Sequence, residues 1–227
     1  MFLFILLSWM KKLKIVYLLP PSEGKFIWWK KKKEELSFSF EKPLSIAQNA
    51  TQKDLKCMGK RFEEWIFLNQ NIQTWPFCKT IERYNGVMYN AIWYSSLSKW
   101  AQKFFDEHFL IISGMYGILK PQDIIANYKL PIETKWLTHY WGENITQTLN
   151  SWEVDIIVDL LPDSYKKMIH IKHLIKKRVE VDFVTYKDGK KVKIAHWVKK
   201  LKGELVRKIC EEKGMQIGES NKIEIYM

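Results

Sequence analysis

The chain has 227 residues and is 47% hydrophobic, so it can bury one substantial core and does not belong to the disordered class. Its 37 Lys and Arg residues outnumber 25 Asp and Glu residues, and the resulting net charge of +12 favours an anionic partner, with nucleic acid the first candidate. The three cysteines form no CxxC pair, which argues against a disulfide framework or zinc site and fits a reducing cytoplasm.

The first nine residues, MFLFILLSW, are an apolar run without the other features of a targeting signal. Lys11 and Lys12 follow the run instead of preceding it, no small-residue cleavage site comes after it, and it is far shorter than the ~20 residues of a membrane span. We expect Met10 to be the natural start and residues 1–9 to be an N-terminal extension, with an interfacial anchor as the alternative. Residues 10–227 are then a single domain with no membrane partner.

The first predicted strand covers residues 14–19, KIVYLL, and leads directly into two prolines and a polar loop. In that loop we expect Ser22, Glu23 and Lys25 to face a site, while Gly24 permits a close backbone approach. An ordinary capped turn is the alternative interpretation.

Residues 26–33, FIWWKKKK, place two tryptophans beside four lysines. Such a segment can stack on bases and neutralise phosphates. A packed Trp pair next to a solvated run of charge explains the same pattern.

Helical patterns follow in the middle of the chain. Residues 52–68 have an apolar helical face with Thr51 as the N-cap, and Gly59 is the point where this helix could break in two. Asn85-Gly86 predicts a turn within residues 80–94, after which the helix would turn its apolar face, Val87, Tyr89, Ile92 and Trp93, toward the core. Another helix is predicted over residues 97–108, burying Trp100, Phe104 and Phe105.

Residues 109–132, FLIISGMYGILKPQDIIANYKLPI, contain many closely spaced residues that constrain the backbone. A buried strand over residues 109–112 ends at Ser113-Gly114, and residues 115–119 allow one short helical turn. Because Pro121 disfavours helical geometry at Lys120, the chain should leave that turn extended.

A helix is predicted over residues 137–152, with Gly142 allowing close packing, and a third buried strand over residues 154–161, VDIIVDLL. This strand also ends in a polar loop that contains proline, at residues 162–165. Three strands of this kind predict one shared site at their carboxyl ends, as open α/β sheets provide.

The last third of the chain is strongly basic. Residues 166–208 hold 15 Lys and Arg against four acidic residues. Asp188-Gly189 predicts a hairpin between strands at residues 179–186 and 192–198, with Lys191, Lys193 and His196 on a basic face. A basic helix over residues 199–212 and a closing strand over residues 223–226 complete the chain.

Catalytic and metal-binding patterns are weak. His170 and His173 are three residues apart but have no carboxylate or cysteine near them in the sequence and sit among lysines, so no metal site is expected, nor any cofactor. No Walker loop, G-x-S-x-G or dinucleotide fingerprint occurs. A catalytic role is therefore unknown, with Glu23, Lys25 and Asp163 as candidates.

Several blocks together resemble the YaaA proteins (DUF328, UPF0246), a peroxide-stress family. They are LLPPSEGK, RYNGVMYNAI, ISGMYGILKPQDIIANYKLPI, YWGENIT, VDLLPDSYKK and KKLKGELVRKI, in the family's order over residues 12–227. The resemblance implies a cytoplasmic bacterial protein, induced by hydrogen peroxide, that limits damage to DNA and protein by keeping unincorporated iron low. The fold it implies is mixed α/β: one compact domain with a central mixed sheet, surrounding helices and a basic cleft at the strand ends.

The resemblance also implies DNA binding, including double-stranded DNA, through the cleft and a helix-hairpin-helix element at about residues 51–68, whose turn here has a single glycine, Gly59. We expect a monomer whose nucleic-acid contacts are Lys25, Lys60, Lys120, Lys191, Lys193, Lys199, Lys200, Lys202 and Arg207. The expected cleft-lining residues are Ser22, Asn85, Ser113, Tyr116, Asp123, Tyr128 and Tyr165. The alternative is an enzyme acting on a nucleobase or nucleotide in the same cleft.

Overall fold

The computed structural model describes residues 13–26, 41–74, 76–194 and 197–226. The interpretations given for residues 1–9 and Met10, for most of the segment 26–33 and for His196 lie outside these described residues.

Three short apolar runs form the centre of a seven-stranded mixed sheet: β1 (Ile15–Leu19), β3 (Phe109–Ser113) and β6 (Ile156–Asp159). β1 lies between the other two and is parallel to both, so that Leu18 pairs with Leu110 on one side and with Asp159 on the other. Parallel strands need cover on both faces, which explains why these runs are apolar without alternation. Their carboxyl ends meet at one edge of the sheet, as the sequence predicts.

Four further strands complete this sheet: β4 (Gly117–Leu119), β7 (Lys177–Lys187), β8 (Lys190–Lys193) and β9 (Lys222–Tyr226). β4 is antiparallel to β3, whereas β7 is parallel to β6. Val184 of β7 pairs with Lys193 and with Tyr226, so β8 and β9 lie on opposite sides of β7. A separate antiparallel pair joins β2 (Cys78–Lys79) to β5 (Ile124–Ile125).

The helices surround this sheet. They are α1 (Glu41–Gln48), α2 (Gln52–Leu55), α3 (Gly59–Gln70), α4 (Thr80–Arg83), α5 (Val87–Ile92), α6 (Lys99–His108), α7 (Leu137–Ser151), α8 (Asp163–Lys166) and α9 (Val198–Glu212), with 3-10 turns at Tyr94–Ser96 and Ile171–His173. The mixed α/β class and the compact single-domain fold expected from the sequence are confirmed. In the part of the chain that is described, every helix is too short or too polar to be a membrane span.

Local signals placed the helices around Gly59 well. Thr51 caps α2 through a capping box, in which its hydroxyl accepts from the Asp54 N–H and the Asp54 carboxylate accepts from the Thr51 N–H. The chain then turns through Lys56 and restarts as α3 at Gly59, so the predicted break is confirmed.

The predicted helical turn at residues 115–119 is wrong. Ser113 accepts hydrogen bonds from the N–H groups of Met115 and Tyr116, which reverses the chain, and residues 117–119 return as β4 against β3. Gly117 makes this possible, because its φ is +72° and a Cβ there would lie 2.6 Å from the Trp141 ring.

The structure also differs from the sequence-based predictions in the exposure of three side chains and in the length of one strand. Val87, Trp93 and Trp100 were expected in the core, yet each is exposed. Trp93 ends α5 in a left-handed conformation, which turns its side chain away from the buried face that carries Ile92. The second hairpin strand ends at Lys193 instead of reaching Val198, where α9 begins.

Candidate nucleic-acid interface

An open cleft of about 650 Å³ lies beside the loop that follows β1. One wall is this loop, a second is the first half of α3, and Lys129 closes the third side. The lining residues are Glu23, Gly24, Lys60, Arg61, Glu64, Trp65 and Lys129.

The beginning of α3 presents positive charge and backbone donors to solvent. Met58, the N-cap residue, is 77% exposed and makes no side-chain cap, so the first N–H groups of the helix are left for an external acceptor. Gly59 has a φ of +56° and open space where a Cβ would stand, and Lys60 and Arg61 beside it are exposed. This turn can therefore approach a phosphate group closely.

Trp65 forms the floor of the cleft. It is 8% exposed, and its ring centre lies 4.5 Å from the guanidinium carbon of Arg61 and 5.3 Å from the Lys129 amino group. Arg61 also pairs with the Glu23 carboxylate at 2.7 Å. These contacts place two cations against one aromatic ring.

Lys129 is fixed from two directions. Its amino group donates to the Glu23 carbonyl at 2.6 Å, while its backbone N–H and C=O both bond to the buried side chain of Asn69 on α3, at 2.9 and 2.7 Å. Partial burial lowers the pKa of Lys129, and the nearby Glu23 carboxylate works against that shift. Lys129 thus joins α3, the loop after β1 and the segment that follows β5 at the cleft.

Behind the cleft, Lys25 reaches into a group of tyrosines. Its amino group lies 4.1 Å from the Tyr128 ring centre and donates to the Ser22 carbonyl at 3.0 Å. Enclosure by these groups lowers the pKa of Lys25 well below its usual value, and Lys129 adds to the effect. A hydroxyl chain runs from Tyr84 through Tyr128 to Ser113, with distances of 2.8 and 2.7 Å.

The expected cleft-lining residues separate into two groups. Ser22 donates to the Asn85 carbonyl, and Ser113 and Tyr128 share the hydroxyl chain, so four of them lie together behind the cleft. Burial raises the pKa of the buried Tyr116, whose hydroxyl accepts from the Ala126 N–H.

Of the remaining predicted residues, Tyr165 lies near this group, since burial raises its pKa and the charges of Tyr128 and Glu23 add to that shift. Lys120 is exposed and donates its N–H to the Asp123 carboxylate. Asp163, whose side chain is 96% exposed, pairs with Lys166 at 3.2 Å. The candidate catalytic carboxylates Glu23 and Asp163 therefore do not line one pocket together.

The basic C-terminal segment carries many of its own counter-ions. Lys191 pairs with Glu224, Lys193 with Asp182 at 2.8 Å, Lys200 with Glu204 at 3.5 Å and Arg207 with Glu211 at 2.9 Å. Lys199 is exposed on the same helix as Lys200. Part of the excess positive charge in this segment is therefore balanced by nearby carboxylates.

Lys202 belongs to the interior. It is 9% exposed, and its amino group donates to the Leu160 carbonyl at 2.7 Å, at the end of β6. Burial lowers the pKa of Lys202, and the nearby Asp159 carboxylate opposes that shift. Its contact is with the sheet rather than with solvent.

Of the residues that line the cleft, the sequence predictions named Glu23 and Lys60 as site residues but not Arg61, Trp65 or Lys129. One signal was available, because Arg61 and Trp65 are four residues apart and must share a helix face. Lys129 carried no comparable signal, since its position depends on the path of the chain after β5.

Comparison with known proteins shows which family this chain belongs to. The family model described as peroxide stress protein YaaA matches residues 4–225. The chain belongs to the YaaA family. The resemblance given above is thereby confirmed, and a role in peroxide stress is supported at the level of the family.

Curated relatives of this chain carry the name UPF0246 protein. One from Psychrobacter arcticus is 28% identical over 75% of this chain and 67% of its own length. The relative from Rickettsia conorii is 32% identical over 75% of this chain and 69% of its own. A third, from Finegoldia magna, is 32% identical over 68% of this chain and 66% of its own. The chain thus matches about two thirds of each relative's length.

Proposed function

We propose that this YaaA-family chain is a cytoplasmic DNA-binding protein of the peroxide stress response, and that it holds duplex DNA at the cleft and the turn between α2 and α3. The observation that carries the proposal is the convergence of Lys60, Arg61 and Lys129 on one cleft beside the uncapped start of α3. Fixed cations next to free N–H groups match the phosphate oxygens of a nucleic-acid backbone.

Each group has a distinct role in this proposal. The N–H groups at the start of α3 and the Lys60 amino group bind one phosphate, in the manner of the turn of a helix-hairpin-helix element. Arg61 presents two N–H groups to the next phosphate, and Trp65 holds the guanidinium in place. Because Trp65 is buried, it supports the cation and does not stack on bases.

The direct test is fluorescence anisotropy of a labelled 20-base-pair duplex titrated with the protein over a series of salt concentrations. With one phosphate contact each for Lys60, Arg61 and Lys129, the logarithm of the association constant should fall against the logarithm of salt with a slope of about −3. Absence of binding at low salt, or binding that does not change with salt, would contradict the proposal.

The family resemblance extends the proposal to limiting unincorporated iron, which would reduce the DNA damage that peroxide causes. The measurement is chelatable iron in cells with and without the gene during peroxide exposure. We expect higher chelatable iron in the deletion strain, and equal levels would remove this part of the proposal.

An enzyme acting on a nucleobase or nucleotide is the second candidate, and Lys25 favours it. Burial lowers the pKa of the Lys25 amine, which favours its neutral form, and a neutral amine can act as a nucleophile or base. If the amine attacks a sugar aldehyde, it forms an imine with loss of water, and borohydride reduces this imine to a stable amine link. Trapping of an abasic-site duplex by wild-type protein but not by Lys25→Met would support this candidate, and no trapping would remove it.

A further inference from the structure

A second cluster of polar side chains lies away from the cleft. Glu143 is on α7, while His170 precedes and His173 ends the 3-10 turn that follows α8. One Glu143 carboxylate oxygen, Oε2, lies 3.2 Å from His170 Nδ1 and 3.4 Å from His173 Nδ1, and one possible ligand atom from each residue lies within 4.8 Å of the others. The sequence shows no carboxylate near the two histidines, and the fold supplies one from 27 residues upstream of His170.

The backbone around the cluster is fixed by other contacts with α7. The N–H of His170 donates to Thr146, and the carbonyl of His173 accepts from the Asn150 amide, both at 2.8 Å. Gly142 leaves room for the His170 ring, since a Cβ at Gly142 would clash with it. The other Glu143 oxygen accepts from Gln147 at 2.9 Å.

We propose that Glu143, His170 and His173 bind a divalent first-row transition-metal ion such as zinc. An ion in tetrahedral coordination with bonds of about 2.05 Å separates its ligand atoms by about 3.3 Å. Both Glu143-to-histidine distances match this separation. Imidazole nitrogen with one carboxylate oxygen is a ligand set that zinc and its neighbours accept.

The site has three protein ligands and an open side. His170 is 38% exposed and His173 64% exposed, and both rings border a shallow pocket lined also by Ile169 and Ile171. The fourth coordination position is therefore accessible to water or to a small external ligand.

Neighbouring lysines reduce the attraction for a cation only in part. Lys166 is paired with Glu180 at 2.6 Å and with Asp163, so its charge is compensated. Lys167 and Lys172 also border the pocket, but both are exposed, where solvent and salt screen their charges. The Glu143 carboxylate supplies a negative charge at the ligand position itself.

The test is isothermal titration of untagged protein with Zn²⁺ at pH 7.5. Wild-type protein should bind one ion, and Glu143→Gln and His173→Ala should each weaken binding at least about tenfold. His139→Ala is the matched control, because His139 is an exposed histidine on α7 outside the cluster, and it should bind as wild type does.

Titration with Co²⁺ gives a second readout of the same site. The visible absorption of tetrahedral Co²⁺ should appear with wild-type protein and with His139→Ala, and should be lost with His173→Ala. Circular dichroism establishes that the variants are folded. Wild-type protein that binds no Zn²⁺, or variants that bind it as wild type does, would overturn the proposal. Because neither titration contains DNA, failure here is separate from failure of the DNA-binding proposal.

Discussion

The guanidinium group of Arg61 lies 2.7 Å from the carboxylate of Glu23, and this ion pair spans the proposed DNA-binding cleft. The cleft thus contains a carboxylate that competes with phosphate for its arginine. Glu23→Gln should tighten duplex binding, by about fivefold at most, because an exposed ion pair is worth about 1 kcal/mol or less. Anisotropy titration at fixed salt measures this change. A variant that binds more weakly than wild type would mean that Glu23 itself contacts DNA.

A second prediction concerns the ion pair at the end of β6. The Asp159 side chain is fully buried and accepts from Arg178 Nε at 2.8 Å. Asp159→Asn removes one of the two carboxylates that pair with the nearly buried Arg178, the other being Glu180 at 2.7 Å, so it should lower the free energy of unfolding by at most about 3–5 kcal/mol. Urea denaturation checks this value. Glu107→Gln, which removes an exposed pair with Lys103 at 3.7 Å, is the control and should cost less than about 1 kcal/mol. Equal losses of stability in the two variants would contradict the larger contribution predicted for the buried ion pair.

A third prediction uses two glycines with the same backbone conformation. Gly117 and Gly189 both have a φ of +72°, but only Gly117 faces a neighbouring ring, that of Trp141, whereas the space at Gly189 is open. Gly189→Ala should cost about 1–2 kcal/mol of stability from the left-handed conformation alone. Gly117→Ala should cost about 1–3 kcal/mol more, because it also overpacks the core. Thermal and urea unfolding measure the loss of stability in both variants. Similar losses would show that the Trp141 ring moves aside at little cost, which would contradict the predicted overpacking.

A fourth prediction concerns the pH dependence of stability. Burial lowers the pKa of Lys202 in the folded chain below its ordinary value of 10.5. Between the lowered pKa and 10.5 the unfolded chain binds more protons, so the free energy of unfolding rises with pH in this window. Below the window the cost of the buried ammonium is constant.

Lys202→Met should remove this rise. The stability of wild type relative to Lys202→Met is therefore expected to increase from pH 7 to pH 10, as measured by urea denaturation at each pH. Lys199→Met gives the reference for loss of an exposed lysine from the same helix. A constant difference between wild type and Lys202→Met would contradict the predicted pKa shift.

Local sequence signals explain which parts of the fold were predictable. The apolar runs of β1, β3 and β6, the Thr51 cap and the break at Gly59 depend on nearby residues, and each was predicted. The hairpin at β4 was missed because it depends on Trp141, which packs on Gly117 from another part of the chain.

The candidate sites were less predictable, since charge counts do not show pairing. Lys202 and Arg207 looked like surface cations, but one bonds to the end of β6 and the other to Glu211 and Ser96. Long-range folding likewise brings Lys129 to the cleft and Glu143 to two histidines. These positions follow from tertiary structure alone.

The replacement of cleft cations tests the proposed DNA interface most directly. Salt-dependent duplex binding should be compared between wild type, the double variant Lys60→Gln/Arg61→Gln and the matched surface variant Lys199→Gln/Lys200→Gln. The cleft variant should lose affinity and its salt slope should fall by about 2, one unit for each lost phosphate contact. The surface variant should stay near wild type. Unchanged binding in the cleft variant, or a larger loss in the surface variant, would contradict the proposed interface.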